Sequence, residues 1–258
     1  MLPWMPVPRA AWRHPRTSHE VYQPEGAYPL RSTARGRGFR EMIRHLLAPS
    51  LLVAAQSLGV PQKLNPRVPA VALTFDDGPH PEGTPAVLDL LAEAGACATF
   101  FVVGEQARRR PDLVAEILAR GHAVGLHGYR HTLQLRMSAA AVERDLKRGA
   151  ETIWAAVGQG PVLHRPPYGI YSAPGLRAAR ADGLQPLLWS RWGKDWRKLT
   201  TPARIASRVT RELGPGDVIL LHDADFYSAS GSHMRTAAAL KLILRELNAR
   251  ELDTVLPV

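Results

Sequence analysis

Residues 68–103 read VPAVALTFDDGPHPEGTPAVLDLLAEAGACATFFVV. The segment opens on a β-branched and apolar run, Val68–Thr74, and closes on another, Ala98–Val103. Between them Pro85–Ala94 has the composition of a helix. Thr84-Pro85 supplies an N-cap followed by proline at the first helical position, and Gly95 stands where a left-handed terminating residue belongs. Strand, helix and strand make one βαβ unit. The same alternation continues to the end of the chain. Further strands are expected at Ala123–Leu126, Val162–Arg165, Gln185–Ser190, Val218–His222 and Thr254–Val258. Helices are expected near Pro111–Arg120, Ala139–Val157, Ala173–Asp182, Pro202–Leu213 and Thr236–Arg250. Thr201-Pro202 repeats the capping signal. In the 139–157 segment Val142, Leu146, Ile153, Trp154 and Val157 fall on one side at helical spacing. Six or more such units imply an α/β fold with a parallel sheet, either closed as a barrel or open and doubly wound.

Upstream of this pattern the composition differs. Residues 1–50 hold eight Arg, three Glu and seven of the 22 prolines, with no Lys or Asp, so they carry +5 of the total +10. Proline breaks both helix and strand ladders, and residues 1–45 are expected to form a poorly ordered leader. Residues 46–66 begin with an apolar run, LLAPSLLVAAQSLGV, that is shorter than the ~20 residues of a membrane-spanning helix. Behind Met42-Ile-Arg-His this run suits either an edge helix or a secretory signal. Export is expected if translation starts near Met42, and a cytoplasmic location otherwise; no integral membrane span is expected. Half of the excess charge sits in this leader, and a nucleic-acid binder would cluster it on an ordered face, so no specific nucleic-acid partner is expected. A single cysteine, Cys97, excludes an intramolecular disulfide and a cysteine-built zinc finger. It is expected to be small core filling. Residues 67–258 form the expected catalytic domain, and any metal site in it must use His, Asp or Glu.

The chemistry-bearing residues gather at the carboxyl ends of the expected strands. Asp76 and Asp77 end the first, in TFDDGP; His127 and His131 follow the third, in LHGYRH; Arg165 ends the fourth, in HRPPYG. Asp195 and Trp196 follow the fifth, in WSRWGKDW, and His222 ends the sixth, in LLHD. In parallel α/β folds these ends share one rim, and active sites are built there. Taken singly, each has a bland explanation: a His-x-x-x-His pair is more often two solvated helix residues, and Asp-Asp-Gly-Pro is a turn. Five such groups on one rim are harder to ascribe to accident. The two histidines and one aspartate make a His2Asp set, with three protein ligands and an open position, which is the form of a catalytic metal site. The other aspartate then suits a general base and His222 a general acid, a kit for hydrolysing an amide or ester.

These residues resemble the polysaccharide deacetylase family, carbohydrate esterase family four. The resemblance runs from about Val68 to Val258, with TFDDGP, RPPYG and LLH close to the family's motifs. It implies a distorted (β/α) barrel of about seven parallel strands and one divalent metal ion, zinc first, with cobalt, nickel or manganese as alternatives. It also implies an acetylated carbohydrate as substrate, with loss of N-acetyl or sometimes O-acetyl groups. By the resemblance Asp76 is the base, Arg165 its partner, Asp77, His127 and His131 the metal ligands, and His222 the acid tuned by Asp195. Trp196 and Leu220 would line the acetyl pocket, and the Tyr168 amide would serve an oxyanion hole. Trp189, Trp192 and Tyr171 are further candidates for a sugar-stacking surface. The sequence departs from the family pattern at four places: Gly128 replaces a usual Ser or Thr, Trp192 an Asp, His164 an aromatic, and Thr132 a Pro. Two other readings keep the fold: a carbohydrate-binding protein without turnover, and a deacetylase of a small non-sugar amide.

Overall fold

The computed structural model describes residues 58–65 and 68–257. The leader, Met42 and the start of the apolar segment lie outside these residues. Eight strands are seen among those described: β1 (Ala70–Asp76), β2 (Thr99–Val102), β3 (Ala123–Leu126), β4 (Leu163–His164), β5 (Gln185–Pro186), β6 (Arg191–Trp192), β7 (Val218–His222) and β8 (Asp253–Thr254). The first seven run parallel in the order β5-β4-β3-β2-β1-β7-β6, and β8 pairs with the amino end of β1. The α-helices are α1 (Gly83–Glu93), α2 (Gly104–Arg109), α3 (Pro111–Ala119), α4 (Ala139–Val157), α5 (Ala173–Ala181), α6 (Pro202–Thr210) and α7 (Ser232–Ala249). The alternation leaves a closed barrel and an open sheet as alternatives; the sheet curls into the distorted (β/α) barrel that the family resemblance implies.

Period-two geometry sorts the strand residues between two cores. Val71, Leu73 and Phe75 of β1, with Ile219 and Leu221 of β7, face the helices and join the larger apolar cluster. Ala72 of β1 and Val218 and Leu220 of β7 face the other way, into the barrel, where Phe101, Leu188 and Trp189 fill the space. Continued to the strand ends, that second parity carries Thr74 and Asp76 on β1 and His222 on β7 inward. Register completes the placement. Asp76 is paired across the ladder with His222, and Leu126 with His164, so His127 and Arg165 emerge side by side.

Two local expectations need correction. The run Gln185–Ser190 is not one strand. Residues 185–186 pair with β4, after which the chain crosses over: the Leu187 amide donates to His164, that of Leu188 to Pro61, and that of Ser190 to Val218 on β7. Pro186 has no N–H to extend a ladder. The second correction is at α1, which begins at Gly83, ahead of Thr84-Pro85. The imidazole Nδ1 of His80 accepts from the amides of Gly83 and Glu82, at 2.9 and 3.2 Å, and so caps the helix. Thr84 is occupied elsewhere: its hydroxyl accepts from the His80 amide and donates to the buried carboxyl of Asp223. Thr201, by contrast, caps α6 as expected, ahead of Pro202. On α4, Val142, Leu146 and Ile153 are buried, but Trp154 is 45% exposed. Cys97 is half-buried beside Thr254, whose hydroxyl accepts its amide. Among the described residues no helix is long and apolar enough to cross a membrane.

Candidate active site

β1 delivers two consecutive aspartates, and the backbone sends them to different places. Asp76 keeps the inward parity of the strand, whereas Asp77 turns left-handed, with φ 81°. Asp tolerates that region better than most residues. The turn carries the Asp77 carboxylate to the loop after β3. Its Oδ1 is 3.5 Å from Nε2 of His127 and 3.1 Å from Nε2 of His131, and all three residues are buried. Asp76 stays with Arg165, whose Nη1 donates to its Oδ1 at 2.8 Å, while Oδ2 lies 3.9 Å from His127 Nε2.

The donor set decides whether a cation fits. Nδ1 of His127 is 2.8 Å from the Arg165 carbonyl oxygen. A carbonyl only accepts, so Nδ1 holds the proton and Nε2 presents its lone pair towards Asp77. Burial works against a charge on Asp77, but the charge of the nearby His131 holds its carboxyl well below the usual range. Two imidazoles and an anionic oxygen, with donor atoms all within 4.8 Å of one another, suit a divalent metal ion. A second group, His80, Asp225 and His233, has similar spacing. It fails the lone-pair test. Because Nδ1 of His80 accepts two amides, its proton sits on Nε2, 3.4 Å from Asp225 Oδ1.

Opposite the His2Asp group stands His222. Its Nδ1 is 2.9 Å from Oδ1 of Asp195, whose Oδ2 accepts from the His222 amide at 2.7 Å and the Thr236 hydroxyl at 2.8 Å. Asp195 is fully buried, which opposes ionisation, yet the His222 charge and these bonds hold its carboxyl below the ordinary value. An ionised Asp195 fixes the proton on Nδ1 and leaves Nε2 for the pocket. Arg165 is equally committed. Besides Asp76 it donates to Thr74 Oγ1 at 2.8 Å and to the carbonyls of Leu187 and Leu188 at 3.0 and 2.9 Å, with its face on Phe101. It thus fixes Asp76 and fastens the crossing chain between β5 and β6.

These groups surround one small pocket. Trp189, Trp192 and Trp196 form a connected wall, with centroid separations of 5.9 and 5.3 Å, and Leu220, Ile170 and Tyr168 complete the apolar side. The pocket, open on one side and about 30 Å³ in volume, suits a small group such as an acetyl rather than a whole sugar ring. A larger cleft of about 690 Å³ lies by the amino end of β1, near Thr254, and contains none of the expected site residues. Tyr171 is not at the pocket: its hydroxyl donates to the His164 carbonyl and accepts from the His164 ring, and burial pushes that imidazole down to about 3.

Three contributors escaped the sequence reading. Tyr227 stacks on His131 at 4.2 Å and accepts from Gln106; Thr236 braces Asp195; Asp145 accepts from the amides of Tyr129 and Arg130 at 2.8 and 3.1 Å. Asp145 explains the tolerance of Gly128. The ligand loop is held from α4, and a φ of 80° at position 128 favours glycine. No pattern flags Asp145 among the many charges of α4. Tyr227 lies in a loop without periodicity.

A carboxylate pinned by arginine, an imidazole backed by a carboxylate and a cation-binding set, all facing a pocket of this size, can split an acyl bond with water. The fold and the site together define a barrel hydrolase. Comparison with known proteins narrows the class: the family model described as polysaccharide deacetylase matches residues 63–187. A peptidoglycan-N-acetylglucosamine deacetylase of Bacillus cereus is 38% identical over 179 residues, covering 69% of this chain and 81% of that protein. A chitooligosaccharide deacetylase of Azorhizobium caulinodans is 32% identical over 200 residues, covering 75% and 95%. Among solved structures, a family 4 carbohydrate esterase from Streptomyces lividans in complex with acetate matches with a TM-score of 0.66 and 30% identity over 74% of this chain and 93% of that one. The chain belongs to the polysaccharide deacetylase family.

Proposed function

We propose that this protein hydrolyses N-acetyl groups from an amino-sugar polymer or oligosaccharide, with zinc held by Asp77, His127 and His131. The observation that carries the reading is the placement of Asp76 and His222 in register on adjacent strands, with the His2Asp group beside Asp76 and a small pocket lined by all of them. Bound there, the ion supplies Lewis acidity towards the acetyl carbonyl. Asp76, held by Arg165, takes the proton of the attacking water as its oxygen bonds to the acetyl carbon. The Tyr168 amide stabilises the oxyanion. His222, protonated on Nε2 and oriented by Asp195, gives its proton to the sugar nitrogen as the C–N bond breaks, releasing acetate and the free amine. Trp196 and Leu220 hold the acetyl methyl, while the sugar rests on the outer aromatic rim.

Acetate release from N-acetylglucosamine oligomers, peptidoglycan and acetylxylan, with and without chelator, tests this. The expected result is acetate from an N-acetylated glycan, lost with chelator and restored by zinc. Release from none of them, or release indifferent to chelator, overturns the reading. A binding-only role would leave Asp76, Asp77, His127, His131 and His222 without a use.

A further inference from the structure

The wall of the pocket continues into a cationic surface. Residues 191–208 hold six cations, Arg191, Lys194, Arg197, Lys198, Arg204 and Arg208, against one carboxylate, Asp195. Asp195 is committed to His222 and Thr236. Arg191 is paired with Glu212 and Asp217. Among the described residues no carboxylate lies within ion-pair distance of Lys194, Arg197, Arg204 or Arg208, although salt bridges are found elsewhere on the domain. The local backbone adds a second observation. Lys194 is left-handed, with φ 51°, a conformation that disfavours any residue bearing a Cβ. It lays the ammonium 4.8 Å from the ring of Trp192, and Trp192 lines the acetyl pocket. Arg208 reaches under the same loop, with Nη1 3.2 Å from Thr200 Oγ1 and 3.4 Å from the Gly193 carbonyl. Arg235 fastens it through the Arg197 carbonyl. The loop is therefore held in a shape that concentrates positive charge beside the pocket wall.

We infer that Lys194, Arg197 and Arg208 form an anion-binding subsite next to the acetyl pocket, which receives a carboxylate carried by the glycan close to the sugar being deacetylated. The cations depress one another: burial first, then Arg197 and Arg208, lower Lys194, and burial followed by Arg197 and Arg204 lowers Arg208. Such mutual repulsion is relieved when an anion arrives. The inference rests on the deacetylase reading for what enters the pocket; the charge of the patch stands apart from it.

The test compares an N-acetylglucosamine tetramer with the same tetramer oxidised at C6 to carboxylates. The zinc-loaded full chain is assayed for acetate release and titrated calorimetrically with each. The wild type is expected to show a KM about tenfold lower for the carboxylated tetramer, with the advantage shrinking as salt rises. Lys194→Gln and Arg197→Gln should each remove most of that advantage, leaving kcat and the neutral tetramer unchanged, and Lys194→Arg should restore it. Equal KM values for both tetramers in the wild type, or a loss in Lys194→Gln that falls equally on both, overturns the subsite. If neither tetramer releases acetate, the deacetylase reading fails, and the calorimetric difference between the two still decides the subsite.

Discussion

Replacing Asp195 by Asn removes one charge and almost no volume. In the structure its carboxylate lies 2.9 Å from Nδ1 of His222, fully buried. Two unit charges ~4 Å apart at an effective dielectric of ~20 interact by about 4 kcal/mol, an upper bound equal to about three pK units. Shifts caused by a neighbouring opposite charge span about 1–3 units, so the imidazolium of His222 should lose about that much. The sign follows from its role. In the proposed mechanism turnover needs the protonated ring and falls as pH rises through its pKa, so the alkaline limb of kcat/KM should move to lower pH by about 1–3 units. The Asn carbonyl can still accept the Thr236 hydroxyl and the His222 amide, which keeps the loop in place. Its NH2 then faces Nδ1 and drives the neutral ring's proton to Nε2. Acetate release across pH, at saturating zinc, reads the limb for wild type and variant. An alkaline limb that stays put while the rate drops would refute the argument that Asp195 sets the protonation of His222.

The two aspartates of β1 should separate in metal analysis: Asp77→Asn loses bound zinc by elemental analysis, whereas Asp76→Asn retains it without turnover, and equal loss in both would merge their roles. Burial pushes the Asp223 carboxyl up to about 7. Its contribution to stability is therefore complete below its unfolded pKa of ~3.9 and lost as pH rises through about 7. Asp223→Asn cannot titrate, so its urea-derived stability should fall less steeply between about pH 5 and 7, by about 1.4 kcal/mol per pH unit; parallel slopes would count against a neutral buried acid. Gly83→Ala would place a Cβ within 1.9 Å of the Asp223 carbonyl oxygen and 2.9 Å of His233 Cβ. Because backbone cannot yield there, a loss of about 3 kcal/mol or more is expected in thermal or chemical unfolding, and a neutral effect would show that the helix start is displaced.

The fold was legible because strand parity and the βα rhythm are local. Ala123–Leu126 and Val218–His222 begin and end where the apolar runs do, since each is flanked by ladder partners on both sides. Gln185–Ser190 misled because a hydrophobic run carries no record of which neighbour it pairs with, and here it changes neighbour midway. The candidate site was legible for a related reason: its members are strand-end residues whose order along the chain maps onto one rim. What holds them was not. Thr236, Tyr227 and Asp145 act across 41, 96 and 16 residues respectively from their nearest site or loop partner, through contacts no short motif encodes. The His80 cap was hidden too, because Thr84-Pro85 imitates a better-known helix start.

The crossing between β5 and β6 has a consequence for how the pocket wall can change. Among the described residues the barrel is stitched by backbone ladders everywhere except along 187–190, where single amide bonds and the Arg165 guanidinium hold the chain. Trp189 stands in that seam, and Trp192 lies just beyond it. Substitutions there reshape the wall that meets the substrate while every strand pairing is left alone. The seam can thus be reshaped without touching a strand pairing, so the residues that hold the fold and those that shape this wall of the pocket are largely separate sets.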